Sequence, residues 1–305
     1  MAWHDVDSWP TVLLGPTLTG ILVTLLVAFL IPILLHQFLY RARTPKTLPT
    51  FLILGPSGSG KTSLFTQLER GTPSPTHISQ VPATATATLP PSITTESNRY
   101  RSTEDPTLLA QRRITLIDTP GHGKLRHHAL SRLSAPPASK TKSATVPSFP
   151  HALVFVVDAA RLAPGSDSLA EAAAYLHDVL LALQRRHARA RTSRGPGTVP
   201  VLVAANKMDL FTAAPAKVVA RALEDEVGRV RESRAKGLLD SGGGGEGGRA
   251  EEDEDAGWLG EGGEGRFEFR QMEEVDVLVE VVGGNVLGGG GPDVQAWWEW
   301  IGRQL

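Results

Sequence analysis

The stretch Gly55-Pro-Ser-Gly-Ser-Gly-Lys-Thr62 decides the fold, because it fits the phosphate-binding pattern G-x-x-x-x-G-K-[ST]. A short apolar run of strand length, Thr50–Leu54, precedes it, and apolar residues at helical spacing follow it in 63–70. A strand, a glycine turn and a helix let backbone N–H groups and a helix N-terminus surround an anion. Lys61 would then reach the β- and γ-phosphates, and Thr62 would hold Mg²⁺. The alternative is an ordinary glycine turn, which the flanking strand and helix disfavour.

The composition limits the classes of function. The chain has 305 residues, a formal net charge of −1 and no cysteine. The balanced charge gives no reason to expect direct nucleic-acid binding. The lack of cysteine excludes disulfides, cysteine nucleophiles and thiolate metal sites.

Apolar runs of strand length alternate with helical patterns after residue 50. This alternation predicts an α/β fold, with a mostly parallel sheet and helices on both faces. Ligands in such sheets bind beyond the carboxyl ends of the strands. We expect a loop at 71–91 and an edge strand at 92–100. The closing helix should place Trp297 and Trp300 in the core, since they share a face.

The N-terminal part is strongly apolar. Between Ser8 and Tyr40 there is no Asp, Glu, Lys or Arg, and a helix over 13–35 would exceed the roughly 30 Å hydrocarbon core. The following Arg41 and Arg43 favour a cytosolic side after the span. A buried core helix is the alternative. We predict these parts: a luminal N-terminus at 1–10, a transmembrane helix at 11–40, a linker at 41–49, and a cytosolic domain at 50–305 with low-complexity loops at about 134–150 and 241–265.

Two further motifs follow predicted strands. Asp118-Thr-Pro-Gly121 places a carboxylate near the Mg²⁺, through a water, and the Gly121 N–H can sense a γ-phosphate. Asn206-Lys-Met-Asp209 is more specific, because the Asp209 carboxylate can accept both N1–H and the 2-amino group of guanine. Adenine lacks that pair of donors, so its binding would leave a buried carboxylate unpaired. A polar loop in which Asp209 caps a helix is the alternative.

The three motifs, in this order, resemble the Ras-like GTPase fold. Other phosphate-loop families, including ABC-type ATPases and guanylate kinase, share the first motif, but Asn206–Asp209 favours guanine. The resemblance implies a hydroxyl ligand for Mg²⁺ at Ser92, with Thr94 as a competitor, and a base contact from the Gly283 N–H. It also places His122 where Ras-like enzymes carry the glutamine that orients water.

A Ras-like domain after an N-terminal membrane span resembles the beta subunits of the signal recognition particle receptor. Local sequence in 91–97, 117–122 and 267–269 agrees with that family. The resemblance implies GTP/GDP and Mg²⁺ as cofactors, the receptor's alpha subunit as a partner, and the endoplasmic reticulum membrane as the location. It implies ribosomes and the translocon as further partners, and slow, partner-dependent hydrolysis of GTP.

The candidate site is therefore as follows. The GTP-binding residues are Gly55, Pro56, Ser57, Gly58, Ser59, Gly60, Lys61, Thr62, Ser63, Asp118, Gly121, Asn206, Lys207, Asp209 and Gly283; the metal ligands are Thr62, Ser92 and, through water, Asp118; the catalytic candidate is His122. The alternatives are an Arf-like trafficking GTPase, a nucleotide-bound scaffold with negligible hydrolysis, and a membrane-anchored ATPase or nucleotide kinase.

Overall fold

The structure is a computed structural model, and it describes residues 18–43, 48–93, 95, 113–134, 149–189, 197–241, 259–260 and 265–305. The chain divides into two compact units, Met1–Leu48 and Pro49–Leu305. The predicted luminal segment at 1–10 lies outside the described residues.

In the described part of the first unit there is one helix, α1 (Leu18–Arg43), with Pro32 inside it. The large apolar side chains described along α1 are exposed. Among the residues that the structure describes, however, no helix combines the length and apolar character that a membrane crossing requires. The predicted span at 11–40 is therefore not supported, and its first residues, 11–17, lie outside the described part.

The second unit is built on a six-stranded sheet with the order β2-β3-β1-β4-β5-β6. All neighbouring strands are parallel except β2 and β3, which are antiparallel. The strands are β1 (Thr50–Leu54), β2 (Ala83–Thr88), β3 (Arg113–Asp118), β4 (Ala152–Asp158), β5 (Val199–Asn206) and β6 (Val277–Gly283). The central strands β4 and β5 are buried along their whole length, as expected of continuous apolar runs in a parallel sheet.

Helices cover both faces of this sheet, as the sequence predicts. The helices of the second unit are α2 (Lys61–Arg70), α3 (His127–Ser134), α4 (Asp167–Arg189), α5 (Ala216–Ser241) and α6 (Gln295–Arg303), with short 3₁₀ helices at Gly123–Leu125 and Phe269–Val275. Alternate side chains of β1 separate the two cores. Leu52 and Leu54 pack in the core that contains α3, α4 and α5. Phe51 and Ile53 pack in the core that contains α2 and α6.

The tryptophans of α6 are all in the core. Trp297 and Trp300 are buried, as predicted, and the Trp297 indole N–H donates to the Val282 carbonyl oxygen at 3.0 Å. Trp298, which lies off their shared face, is buried as well. Helical spacing alone underestimated how much of this helix is covered.

Two predictions about loops are corrected. The edge strand is β2, inside the predicted loop at 71–91, and the described part of 92–100 contains no strand. The alternating Ala-Thr sequence suits an edge strand, whose mostly exposed position needs β-branched residues rather than a buried apolar run. In the predicted low-complexity loop at 241–265, Leu259 is fully buried and packs in the core with Phe267. Hydrogen bonds hold the same segment, because the Gly260 N–H donates to Gln184 Oε1 at 2.9 Å and Arg231 donates to the Leu259 carbonyl oxygen at 3.4 Å.

Candidate functional site

The glycine turn after β1 forms a close-packed cradle. Gly55 has a φ of 137°, and a Cβ there would overlap the Val156 carbonyl oxygen of β4. Gly60 has a φ of 94°, and a Cβ there would overlap the Asn206 side-chain amide. Both positions need glycine for its left-handed backbone and for the close approach of neighbouring groups. The turn therefore presents its backbone at the N-terminus of α2, where anions bind favourably.

Lys61 is buried at the start of α2. Its ammonium group donates to the Pro56 carbonyl oxygen at 2.6 Å, inside the curve of the glycine turn. Burial lowers the pKa of Lys61 to about 8, against the opposing attraction of Asp118. A phosphate beside this amine would raise the pKa of Lys61 again, because an opposite charge favours the protonated form.

Oxygen atoms converge beside Thr62. The Thr62 hydroxyl donates to Asp118 Oδ2 at 2.8 Å and lies 2.9 Å from Ser79 Oγ. The Ser79 hydroxyl also donates to Asp118 Oδ2, at 3.3 Å. Burial raises the pKa of Asp118, against the hydrogen bond from Thr62.

This oxygen set fits Mg²⁺. Hydroxyl and carboxylate oxygens are the ligands that Mg²⁺ uses together with water and phosphate. Among the described residues, none forms a hydrogen bond with the buried Asp118 Oδ1. Water bound to a cation would satisfy that orphaned atom, as the predicted contact of Asp118 through water requires. The described residues form no group of three or more His, Cys, Asp and Glu, so protein carboxylates alone would not hold the ion.

Ser79, which the sequence analysis did not select, takes the place predicted for Ser92. Strand β2 runs antiparallel to β3, with Ala83 opposite Asp118 and Thr88 opposite Arg113. The end of β2 is therefore the length of β3 away from Asp118, about 17 Å at about 3.3 Å per residue. Ser92 follows that end and is exposed, so the structure does not bring it to the metal site. The competing candidate, Thr94, lies outside the described residues.

The loop after β5 packs against the glycine turn. The Asn206 amide donates to the Ser59 carbonyl oxygen at 2.9 Å, and Asn206 Oδ1 accepts from the backbone N–H groups of Lys207 and Val286. Lys207 has a left-handed backbone with a φ of 66°, and its amine donates to the Gly58 carbonyl oxygen at 3.1 Å. Asn206 thus holds the phosphate-binding and base-binding segments together.

Asp158 was missed by the sequence analysis. It ends β4, and its Oδ2 lies 2.5 Å from the Lys207 amine. The signal was available, because Asp158 is a carboxylate at the carboxyl end of a buried strand, the same position that singled out Asp118 and Asp209.

Gly283, the predicted base contact, is the last residue of β6, opposite Ala205 of β5, and packs against the Met208 side chain. The structure does not bring it to the site. The segment that follows lies there instead: a Cβ at Gly288 would be 3.3 Å from Asp209 Cγ. Gly283 is still part of β6, so the segment that reaches Asp209 begins only after it.

One cavity of about 460 Å³ joins these elements. Ten of the 15 predicted GTP-binding residues line it, and the residues that do not are Gly55, Pro56, Ser59, Asp118 and Gly283. Its lining consists of Ser57, Gly58, Gly60, Lys61, Thr62, Ser63, Thr76, His77, Ile78, Ser79, Gly121, Asn206, Lys207, Asp209, Leu210, Val286 and Leu287. Its size suits a small-molecule ligand, and its polar groups are those of a phosphate and base site.

Gly121 and His122 occupy different environments. A Cβ at Gly121 would lie 2.7 Å from the Gly55 carbonyl oxygen, so this loop packs directly on the glycine turn. His122 is exposed, and its Nδ1 accepts from the Lys124 N–H at 3.4 Å at the start of the 3₁₀ helix. His122 is not among the described residues that line the cavity. Its catalytic role stays a prediction.

The comparison with known families decides what kind of protein carries this site. The family model described as signal recognition particle receptor beta subunit matches residues 46–277. The chain belongs to that family. This match confirms the family predicted from the sequence, and the mostly parallel sheet with its helices confirms the α/β fold.

Individual relatives agree. The chain is 32% identical over 190 residues to the signal recognition particle receptor subunit beta of Saccharomyces cerevisiae, covering 62% of this chain but only 61% of that relative. It is 29% identical over 291 residues to the subunit of Rattus norvegicus, covering 94% of this chain and 87% of the relative.

Among solved structures, the receptor SRb-GTP/SRX complex from Chaetomium thermophilum is 37% identical with a TM-score of 0.66, covering 83% of this chain and 99% of that chain. The SRb-GDP-Mg structure from the same organism is 39% identical with a TM-score of 0.60, covering 85% and 100%.

The depressed pKa of Lys61 predicts a pH dependence of stability in the empty protein. The folded-state pKa of about 8 lies below the ordinary lysine pKa of 10.5, so the unfolded chain binds more protons between these values. Stability therefore rises with pH across that window. Relative to Lys61→Met, the free energy of unfolding of the wild type should increase by about 1 kcal/mol per pH unit between pH 8.5 and 10. Urea titrations of both proteins at each pH measure this difference, and parallel pH profiles would contradict it.

Proposed function

We propose that the chain binds GTP and GDP with Mg²⁺, and that its GTP-bound form docks the alpha subunit of the signal recognition particle receptor. One observation carries the proposal. The Asn206 amide fastens the base-binding loop to the glycine turn, so that Asp209, Lys61 and Thr62 line one cavity. The similar Chaetomium proteins, described as GTP and GDP-Mg forms, support the same ligands for this chain.

Asp209 gives the proposal its preference for guanine. Asp209 is exposed and lines the cavity, and a Cβ at Gly288 would be 3.3 Å from its Cγ. A carboxylate there accepts two hydrogen bonds from guanine, whereas adenine offers no matching pair of donors. A site built to pair with a polar ligand group rejects a ligand that lacks it, because the bound ligand would cover the protein group and leave it unpaired.

Replacing Asp209 by Asn should exchange the base preference. The Asn amide can donate to the 2-oxo group of xanthine but would face the 2-amino donor of guanine. We expect Asp209→Asn to weaken GDP binding by about 100-fold, through the loss of charged hydrogen bonds, and to strengthen binding of xanthosine diphosphate. Isothermal titration with GDP, ADP and xanthosine diphosphate measures the change. Equal affinity of the wild type for GDP and ADP would refute the guanine site.

Ser79 is proposed as the hydroxyl ligand of Mg²⁺ from the loop before β2. Its Oγ already lies beside the Thr62 hydroxyl and Asp118 Oδ2, the pair at which the cation would be held. Ser92, which follows the other end of β2, provides a matched control.

Ser79→Ala should therefore reduce the contribution of Mg²⁺ to GTP affinity by about tenfold, since one ligand of a charged site is lost. Ser92→Ala should leave that contribution unchanged. The measurement is the dissociation rate of a fluorescent GTP analogue with and without Mg²⁺. A larger effect of Ser92→Ala would restore the sequence-based assignment.

The segment around Ser79 also supplies a surface for the partner. Ile78 and Val81 are 75% and 74% exposed on either side of Ser79. Hydroxyl contacts tie the same segment to α2, because Ser79 lies 2.9 Å from Thr62 and Thr76 lies 3.1 Å from Ser63. A cation and γ-phosphate at Thr62 would change these contacts, so the presentation of Ile78 and Val81 would depend on the nucleotide.

A charge in this apolar surface should weaken docking. We expect Ile78→Asp and Val81→Asp each to reduce the affinity of the GTP-loaded chain for the alpha-subunit SRX region at least tenfold, because a carboxylate would be buried without a partner. Val218→Asp, at a half-exposed apolar residue of α5, is the control. Surface plasmon resonance with a non-hydrolysable GTP analogue measures the affinities. Unchanged binding by both variants would move the interface elsewhere.

We further propose slow intrinsic hydrolysis that depends on a partner. The environment of His122 supports this proposal, since His122 is exposed and caps its own 3₁₀ helix. A partner that pressed the loop inward would be needed to bring its ring to the cavity. A nucleotide-bound scaffold with negligible hydrolysis is the second candidate, and the same observation favours it. Single-turnover hydrolysis with and without the SRX region distinguishes the two, since only the first candidate is stimulated.

The proposal includes association with the endoplasmic reticulum membrane. The exposed apolar side chains of α1 form a contiguous surface of the kind that marks a contact with protein or membrane. They are Ile21, Leu22, Val23, Leu25, Leu26, Val27, Phe29, Leu30, Ile31, Ile33, Leu34 and Leu35. At this membrane the receptor would receive ribosomes and pass them to the translocon, as family membership suggests. Recovery of the chain in the supernatant when microsomes are sedimented in physiological salt would contradict this association.

A further inference from the structure

The side-chain amine of Lys207 is held at two points. It lies 2.5 Å from Asp158 Oδ2, and it donates to the Gly58 carbonyl oxygen at 3.1 Å. Asp158 ends β4, Lys207 follows β5, and Gly58 belongs to the turn after β1. These two contacts therefore connect the segments at the ends of three neighbouring strands, at the edge of the sheet where the cavity lies.

Asp158 is itself fixed in place. Its Oδ1 accepts from the Ala160 N–H at 3.2 Å, and the residue is 8% exposed. The turn that follows is tied to the Lys207 loop, because the Ala159 N–H donates to the Asn206 carbonyl oxygen at 3.0 Å and the Ala214 N–H donates to the Ala159 carbonyl oxygen at 3.2 Å. The carboxylate therefore has little freedom to follow the lysine if the lysine moves.

The backbone of Lys207 needs such support. Its φ of 66° is unfavourable for a residue with a side chain and persists only where the surroundings impose it. The Asn206 side chain holds its N–H at 2.8 Å, and Asp158 holds its amine. Asp209 comes two residues later in the same loop, so the direction of its carboxylate depends on this backbone conformation.

We propose that Asp158 is a positioning residue for the guanine base. Its carboxylate extends the Lys207 side chain along the cavity, neutralises the amine, and keeps the loop in the conformation that aims Asp209 at the base. Lys207 then meets the nucleotide with its alkyl stem rather than with a free charge. This inference rests on the proposed guanine-nucleotide function.

The test compares Asp158→Asn, which keeps the shape of the side chain, with Asp158→Ala. The two readouts are the dissociation rate of fluorescent GDP and the preference for GDP over inosine diphosphate, which lacks the 2-amino group that Asp209 accepts. We expect about tenfold faster dissociation in Asp158→Ala, a smaller increase in Asp158→Asn, and an approximately fivefold loss of the GDP preference. The control is Asp225→Asn on α5. This change breaks the exposed ion pair between Asp225 and Arg266 and should change neither readout.

Asp158 and Lys207 should also act as a unit. In the double variant Asp158→Ala/Lys207→Ala, dissociation should be no faster than in Lys207→Ala alone, because residues that share one interaction are not additive. Dissociation within twofold of the wild type in Asp158→Ala overturns the inference. So does faster dissociation with an unchanged GDP-to-inosine diphosphate ratio, which would mean a loss of general stability. A wild type that binds ADP as well as GDP would instead overturn the proposed function, and this inference with it.

Discussion

The hydrogen bond from the Asn206 amide to the Ser59 carbonyl oxygen, at 2.9 Å, holds the site together. It crosses from the loop after β5 to the turn after β1, at a point where Gly60 leaves no room for a Cβ. This bond joins two loops on different strands, and the bond from the Lys207 amine to the Gly58 carbonyl oxygen joins the same two loops. A nucleotide in the proposed site would touch both loops at once, so its binding would depend on the distance that these bonds maintain.

The sheet makes that bond possible. Strands β1, β4 and β5 are parallel neighbours, so the loops that follow them leave from the same edge. Their continuous apolar sequences bury them on both faces and leave only these ends for polar chemistry. Asp158, Asn206 and the glycine turn meet there as a consequence of strand order. Lys207 then connects all three.

Much of this site could be predicted from the sequence because its motifs directly follow strands with clear apolar patterns. The glycine turn, Asp118 and Asn206–Asp209 are such cases, and the structure brings them together. Ser79 could not be found in this way, since it precedes an edge strand of alanine and threonine that carries no buried apolar pattern. Gly283 was misplaced because the end of β6 depends on pairing with β5, a long-range contact that local composition does not reveal. Leu259 joins the core from a glycine-rich and acidic segment for the same reason.

The burial of Lys61 and Asp118 has a consequence for the life cycle of the protein. An amine whose charged form is disfavoured and a carboxylate oxygen with no hydrogen-bond partner among the described residues both carry an electrostatic cost when nothing is bound. Phosphate and cation together would remove both electrostatic costs, so their binding would stabilise the folded state. In the proposed nucleotide cycle, the vacant protein would then be an intermediate of high free energy between two occupied forms. Replacement of one nucleotide by another would be slow unless another molecule stabilised that intermediate.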